Sequence, residues 1–220
     1  MARIVRRAVS TGNYFRLDDQ ARRLRVPGIH GSIKRMRIIA GEFRGRRLLS
    51  PETDITRPIT DRVKQSLFDI ISPFIADSTV YDCFAGTGSM GLECLSRGAE
   101  KVVFFEMDRS ALTRLRSNIA TLKIEKKATV VPTDLFRYFA GNPDLPSADL
   151  IFLDPPYCFL TEKSEMLCEL ARQFAGYLKP EGTIIFRHDA ADRLELPAVE
   201  KYDERNYGGM TLEFLRRRGG

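Results

Sequence analysis

Asp154, Pro155, Pro156 and Tyr157 stand directly after the apolar run Leu150-Ile151-Phe152-Leu153. These four residue types, in this order, suit one kind of chemistry. An exocyclic amine on a nucleobase is a weak nucleophile because its lone pair is delocalised into the ring. A carboxylate acceptor from Asp154 and a backbone carbonyl from Pro155 can draw on its two N–H groups, which localises that lone pair toward an activated methyl. Two consecutive prolines remove two backbone donors and stiffen the loop, as a preorganised site requires. Tyr157 offers a flat face for a base taken out of its stack. Transfer there would be in line and governed by positioning and electrostatics. The bland alternative is a strand-end turn with no chemistry, and the motif's companions weigh against it.

The first companion is Asp82-Cys83-Phe84-Ala85-Gly86-Thr87-Gly88-Ser89-Met90-Gly91, whose glycines satisfy G-x-G-x-x-G between an expected strand and an expected helix. Glycines there let the backbone approach a ligand with no side chain in the way. By itself the turn does not choose between a dinucleotide and S-adenosylmethionine. The second companion is Glu106, eighteen residues past Gly88 at the end of the next apolar run, where an acid can accept hydrogen bonds from ribose hydroxyls. Asp108 reads first as a helix N-cap. Asp134 has two open readings, a partner for an adenine amino group or the cap of a short helix through Phe139.

Positioning those residues takes alternating strands and helices. Residues 79–84, 102–105, 128–131, 150–153 and 183–186 read as strands. Helices are expected over 90–96, 110–123 and 162–177, with Pro180-Glu181-Gly182 as the loop after the last. Residues 199–202 and 211–215, joined around Gly208-Gly209, look antiparallel. Repeating strand–helix units imply a doubly wound, mostly parallel sheet. Upstream, Thr60 or Asp61 can cap a helix carrying Val63, Leu67, Ile70 and Ile71, which Pro73 helps to stop. Residues 37–42 and 46–49 read as the two strands of a basic hairpin around Phe43-Arg44-Gly45, within 36–50.

Charge separates the ends of the chain. Of 220 residues carrying a net +6, the first 47 hold thirteen Lys and Arg against three acids, a balance of +10 that leaves −4 for the rest. A basic arm on a slightly acidic body suits a polyanionic partner. Residues 1–35 read as an extension, either an Arg-rich arm or leader or a stretch preceding a natural start at Met36, and residues 36–220 as the domain. No apolar run approaches the roughly 20 residues of a bilayer span, and no secretory signal is evident. A cytoplasmic protein with no membrane partner is expected. The four cysteines form no C-x-x-C pair and the two histidines are remote from them, so no metal site is expected.

With these residues in view, the sequence resembles the class I S-adenosylmethionine-dependent methyltransferases that carry (N/D/S)-P-P-(Y/F/W). The run 37–46, then Arg57-Pro58-Ile59-Thr60-Asp61-Arg62-Val63-Lys64, the glycine turn, Glu106-Met107-Asp108, Leu153 through Tyr157 and Tyr207-Gly208-Gly209-Met210-Thr211 narrow it further. In that order they are similar to the bacterial RsmD family of 16S ribosomal RNA guanine-N2 methyltransferases. The resemblance covers essentially residues 36–218; the Arg-rich leader is not part of it. It implies a Rossmann-like sheet of seven strands with an antiparallel C-terminal strand. Arg57, Pro58 and Thr60 would fold over the cofactor. Asp82, Phe84, Gly86 and Gly88 would hold its methionine portion and surroundings, Glu106 and Met107 its ribose region, and Asp134 and Leu135 its adenine. Asp154 to Tyr157 would take the target base, and Arg37, Arg44, Arg46 and Arg47 the RNA backbone, with a monomer acting on small-subunit particles. The competing readings are an adenine-N6 methyltransferase, an NAD-dependent oxidoreductase, and a catalytically silent RNA-binding factor on the same fold.

Overall fold

The computed structural model describes residues 36–51 and 59–219, so the expectations for residues 1–35, Arg57 and Pro58 lie outside the described residues. Helix α1 (Asp61–Ile71) starts where Thr60 Oγ1 accepts the Val63 N–H at 3.3 Å. It ends in a 3-10 turn, Ser72–Phe74, that includes Pro73. The chain then alternates as expected through β1 (Thr79–Cys83), α2 (Ser89–Ser96), β2 (Lys101–Glu106), α3 (Arg109–Leu122), β3 (Ala128–Pro132), α4 (Leu135–Ala140) and β4 (Ala148–Leu153). It closes with α5 (Phe159–Glu162), α6 (Ser164–Tyr177), β5 (Leu178–Asp189), β6 (Val199–Tyr207) and β7 (Met210–Arg217).

The seven strands form one sheet in the order β3-β2-β1-β4-β5-β7-β6. Strands β1 to β5 run parallel, and β7 is antiparallel to both β5 and β6. Successive strand residues point to opposite faces, and each face has its own core. Val80, Phe104 and Phe152 pack with α1, α2 and α3, whereas Tyr81, Phe105 and Ile151 pack with α4 and α6. Strand order reverses between β1 and β4, the place where open α/β sheets bind ligands beyond their carboxyl ends.

Three local expectations are refined. The helix expected over 162–177 is α6, starting at Ser164, and it is preceded by the short, unexpected α5, from which Lys163 separates it at φ −136°. Pro180-Glu181-Gly182 lies within β5 as a bulge, where the pairing with β4 jumps from Ala148–Leu178 to Leu150–Thr183. The hairpin is present only as a short pairing: Arg37 and Arg47 form one antiparallel bridge, with Ile38 N–H donating to Arg46 O, Gly45 N–H to Ile38 O and Leu48 N–H to Met36 O. Donors of residues between them go to α2. Ile39 and Ala40 N–H donate to the two oxygens of Glu93 at 2.8 and 2.9 Å, and Glu42 and Phe43 N–H donate to Ser96 O and Oγ. Gly41 permits this approach, since a Cβ there would stand 1.8 Å from the Ser96 carbonyl oxygen.

Glu93 is fully buried and also meets Lys64 at 2.9 Å and Arg97 at 2.9 Å. Burial alone would raise its carboxyl, but Lys64, Arg97 and the Ile39 N–H outweigh that and hold it below the ordinary carboxylate range. The basic segment is thus fastened by one buried acid on α2.

Candidate active site

Register brings the chemistry together. Cys83 stands opposite Phe105 of β2 and Leu153 of β4, and Leu153 stands opposite Phe186 of β5. The next residue on each strand is Phe84, Glu106, Asp154 or Arg187, so all four continue one row, the first three at or just past the ends of their strands and Arg187 within β5. Three of them were expected at the site. Arg187 was not, although a residue directly after the apolar run of β5 could have been found by aligning strand ends.

Glu106 is held by three backbone donors. Its Oε2 accepts the Gly86 N–H at 2.7 Å, and its Oε1 accepts the Met107 and Asp108 N–H groups at 2.8 Å each. This ties the β2 end to the glycine turn. The glycines then differ in purpose. Gly86 (φ +55°) has nothing within 4 Å of where a Cβ would stand, leaving its face open to a ligand. Gly88 (φ +86°) packs against α3, with a Cβ position 2.4 Å from Leu115 Cδ1, and Gly91 lets α2 lie on Phe104 of β2. Phe84 sits at φ +59°, where a bulky side chain is strained. Its ring packs 5.9 Å from both Phe136 and Phe159.

Asp82 lies beneath this turn, buried, with Oδ2 accepting the Gly91 N–H at 2.8 Å. Burial, reinforced by the neighbouring Asp154 and Glu106 charges, pushes its carboxyl up to about 8. It is accordingly a largely protonated acid at neutral pH, supporting the turn and the start of α2.

A shallow cleft opens beside the turn, lined by Phe84, Glu106, Met107, Asp134, Leu135 and Phe136 among others. Met107 is exposed on its rim. Asp134 caps α4, its Oδ1 accepting the Phe136 and Arg137 N–H groups, while still lining the cleft. Asp108 caps α3 as expected. Sequence reasoning missed Phe159 and Lys163, which close the same cleft, with the Lys163 ammonium 3.8 Å from the Phe159 ring centre. An open glycine face, a ribose-height acid and an apolar slot fit an adenosyl cofactor.

Next to the cleft, Asp154 is paired with Arg187, whose Nε–H donates to Asp154 Oδ1 at 2.6 Å. Burial works against the Arg187 guanidinium, but Asp154 more than offsets it and its pKa is raised. Pro155 is buried, and Pro156 and Tyr157 are half-buried. The carbonyls of Pro156 and Tyr157 accept the Phe159 and Leu160 N–H groups at the start of α5.

The basic segment reaches along the other face. Met36 Sδ and Leu49 lie beside the glycine turn, through Thr87 Oγ1 and through Asn118, which binds both Leu49 and the Thr87 carbonyl. The turn at residues 41–45 instead abuts Ser96, at the opposite end of α2, about 12 Å away for eight helical residues. Arg44, Arg46 and Arg47 are exposed, whereas Arg37 is already paired with Asp61 at 2.8 Å. Among the described residues there is no cluster able to hold a metal ion, and no helix long and apolar enough to cross a membrane.

A sheet of this order, with its reversal point beside a glycine turn, an acid closing β2 and D-P-P-Y closing β4, defines a class I S-adenosylmethionine-dependent methyltransferase fold and site. The family model described as Conserved hypothetical protein 95 matches residues 36–216. The chain belongs to that family, the RsmD group of methyltransferases. It is 38% identical over 166 residues to Ribosomal RNA small subunit methyltransferase D of Haemophilus influenzae, covering 74% of this chain and 82% of that one. It is 42% identical over 130 residues to the Escherichia coli protein of the same name, covering 58% of this chain and 63% of that relative's length. The solved structure of Escherichia coli yhhF, described as a candidate methyltransferase, superposes with a TM-score of 0.72 at 33% identity, covering 83% of this chain and 98% of that one.

Proposed function

We propose that this chain transfers a methyl group from S-adenosylmethionine to the exocyclic N2 amino group of a guanine in small-subunit ribosomal RNA. The observation that carries the reading is the shared strand row, which sets the Asp154 carboxylate beside the Glu106-lined cleft. When bound, S-adenosylmethionine supplies a methyl on a positively charged sulfur. Glu106 would hold the ribose hydroxyls, the open face of Gly86 would admit the methionine portion, and Leu135 with Phe136 would line the adenine slot. Asp154 and the Pro155 carbonyl would each accept one N–H of the target amine. Held by those two acceptors, the nitrogen lone pair would face the methyl that the cofactor would supply, and the proton displaced from nitrogen would pass to solvent. Tyr157 would stack on the extruded base. Thr60, the cap of α1, would contact the cofactor.

Arg44, Arg46 and Arg47 would contact RNA phosphates along the α2 face, with residues 1–35 as a basic extension to a catalytic domain of 36–220. Substrate in small-subunit particles, a monomeric enzyme and a cytoplasmic setting complete the proposal. What favours guanine over adenine is the family resemblance alone; the names of the relatives, ribosomal RNA small subunit methyltransferases, support the RNA substrate and not the base. Labelled methyl transfer to small-subunit ribosomal RNA, followed by digestion to nucleosides, tests it. N2-methylguanosine is expected, and N6-methyladenosine would establish the adenine alternative. Calorimetry with S-adenosylhomocysteine and with NAD separates the oxidoreductase reading, which requires NAD to bind and S-adenosylhomocysteine not to.

A further inference from the structure

We propose that Arg187 is a positioning residue of this active site, acting through Asp154 to aim the carboxylate at the target amine. The inference rests on the methyltransferase reading of Asp154. Its physical basis is a shortage of backbone donors. An aspartate at a strand end is ordinarily steadied by N–H groups one or two residues on, as in an Asx turn. The residues following Asp154 are Pro155 and Pro156, and neither has an N–H. The side chain must therefore take its direction from elsewhere in the fold.

Arg187 meets that need. It follows Phe186 in the register row that ends at Leu153, so its backbone is as well fixed as that of Asp154. It is paired on its other side with Leu212 of β7, which makes its strand an interior one. The Nε–H to Oδ1 distance is 2.6 Å, with the two side chains only 13% and 23% exposed, so water competes little for either. The guanidinium is planar and carries its donors in a stiff fork, and an ammonium in its place would supply charge without that directionality. Arg187 thus sets its positive charge directly against Asp154, the acid closing β4.

The test compares wild-type protein with R187Q and R187K in steady-state methyl transfer to small-subunit ribosomal RNA, alongside direct binding of S-adenosylhomocysteine and of RNA. A misdirected carboxylate should cost R187Q about 100-fold in kcat, with both dissociation constants essentially unchanged. R187K should recover part of that loss. A rise in KM and RNA dissociation constant at unchanged kcat would overturn the proposal, making Arg187 an RNA-binding residue. Equal losses in R187Q and R187K, accompanied by lowered melting temperatures in both, would overturn it in favour of a purely structural role. The Arg187 Nε–H resonance in unliganded protein gives a readout independent of turnover. It should be protected from solvent exchange in wild type and lose that protection in D154A; an unprotected resonance in wild type would contradict the pairing. Because this signal needs no methyl transfer, failure of the pairing and failure of the methyltransferase reading can be told apart.

Discussion

Glu106 accepts the backbone N–H of Gly86 at 2.7 Å, so the acid closing β2 and the first glycine of the turn after β1 are tied across the mouth of the cleft. One carboxylate thus shapes the turn, and it is the group proposed to hold the ribose. In Glu106→Gln one acceptor oxygen remains, but the amide NH2 faces backbone donors and cannot accept from them. The dissociation constant of S-adenosylhomocysteine, read by calorimetry, should rise about 10- to 100-fold, as expected for losing hydrogen bonds to a charged group. Wild-type affinity would remove Glu106 from the cofactor site.

Asp82 predicts a pH dependence of stability. Its folded pKa of about 8 lies above the unfolded aspartate value near 3.9. The folded state therefore binds the extra proton, so stability is highest below about pH 4 for this group and is lost as pH rises toward 8. Asp82→Asn keeps an acceptor for the Gly91 N–H and removes the titration. The variant should gain on wild type in thermal melts as pH rises from about 4 to 8, by roughly 5 °C or more at the upper end. A difference in melting temperature that stays constant with pH would show that Asp82 is not held protonated.

Glu93 works in the opposite direction. Its folded pKa is depressed, so its contribution is present above the ordinary carboxyl range and is lost as pH falls through the folded value. Acidification should release the Ile39 and Ala40 amides before the sheet opens, visible as early loss of their hydrogen-exchange protection after correction for intrinsic rates. Glu93→Ala should destabilise the protein by about 3–5 kcal/mol, because it strands Lys64, which is 2% exposed, without its acid. Protection of both amides that outlasts that of β1 would contradict the clamp.

The contrast between these sites explains what was legible in the sequence. Val102 to Phe105, Leu150 to Leu153 and the glycine spacing are local signals, since each strand announces itself by its own apolar run and each turn by its own glycines. The row of strand ends, and with it the meeting of Phe84, Glu106 and Asp154, follows once the strands are parallel. Glu93 had no such signal, and Arg187 only its place one residue past the apolar run of β5. Glu93 binds Ile39 and Ala40, more than fifty residues earlier, and Arg187 binds Asp154 beside the neighbouring strand β4. The basic hairpin is shorter than its residues suggest for the same reason: Glu93 and Ser96, far along the chain, claim the donors of Ile39, Ala40, Glu42 and Phe43 and leave only the residues around the Arg37–Arg47 bridge to pair. Asp134 proved to be a cap that also lines the cleft, so its two readings were not exclusive.

Arg44, Arg46 and Arg47 are exposed beside α2 and carry the proposed phosphate interactions. Replacing all three with Gln should weaken RNA binding and flatten the dependence of log affinity on log salt. The slope should fall by about 0.7 for each phosphate of single-stranded RNA that is no longer neutralised. S-adenosylhomocysteine affinity should stay at the wild-type value. An unchanged salt slope would place the RNA grip elsewhere.

The proposed methyl transfer to a guanine amine turns on Asp154, at the end of β4. The most direct measurement is mass analysis of nucleosides from small-subunit ribosomal RNA incubated with labelled S-adenosylmethionine and either wild-type protein or Asp154→Ala. Wild type should yield labelled N2-methylguanosine, and the variant should yield essentially none while binding S-adenosylhomocysteine as wild type does. Near-normal N2-methylguanosine from the variant, or no methylated nucleoside from the wild type, would contradict the assignment.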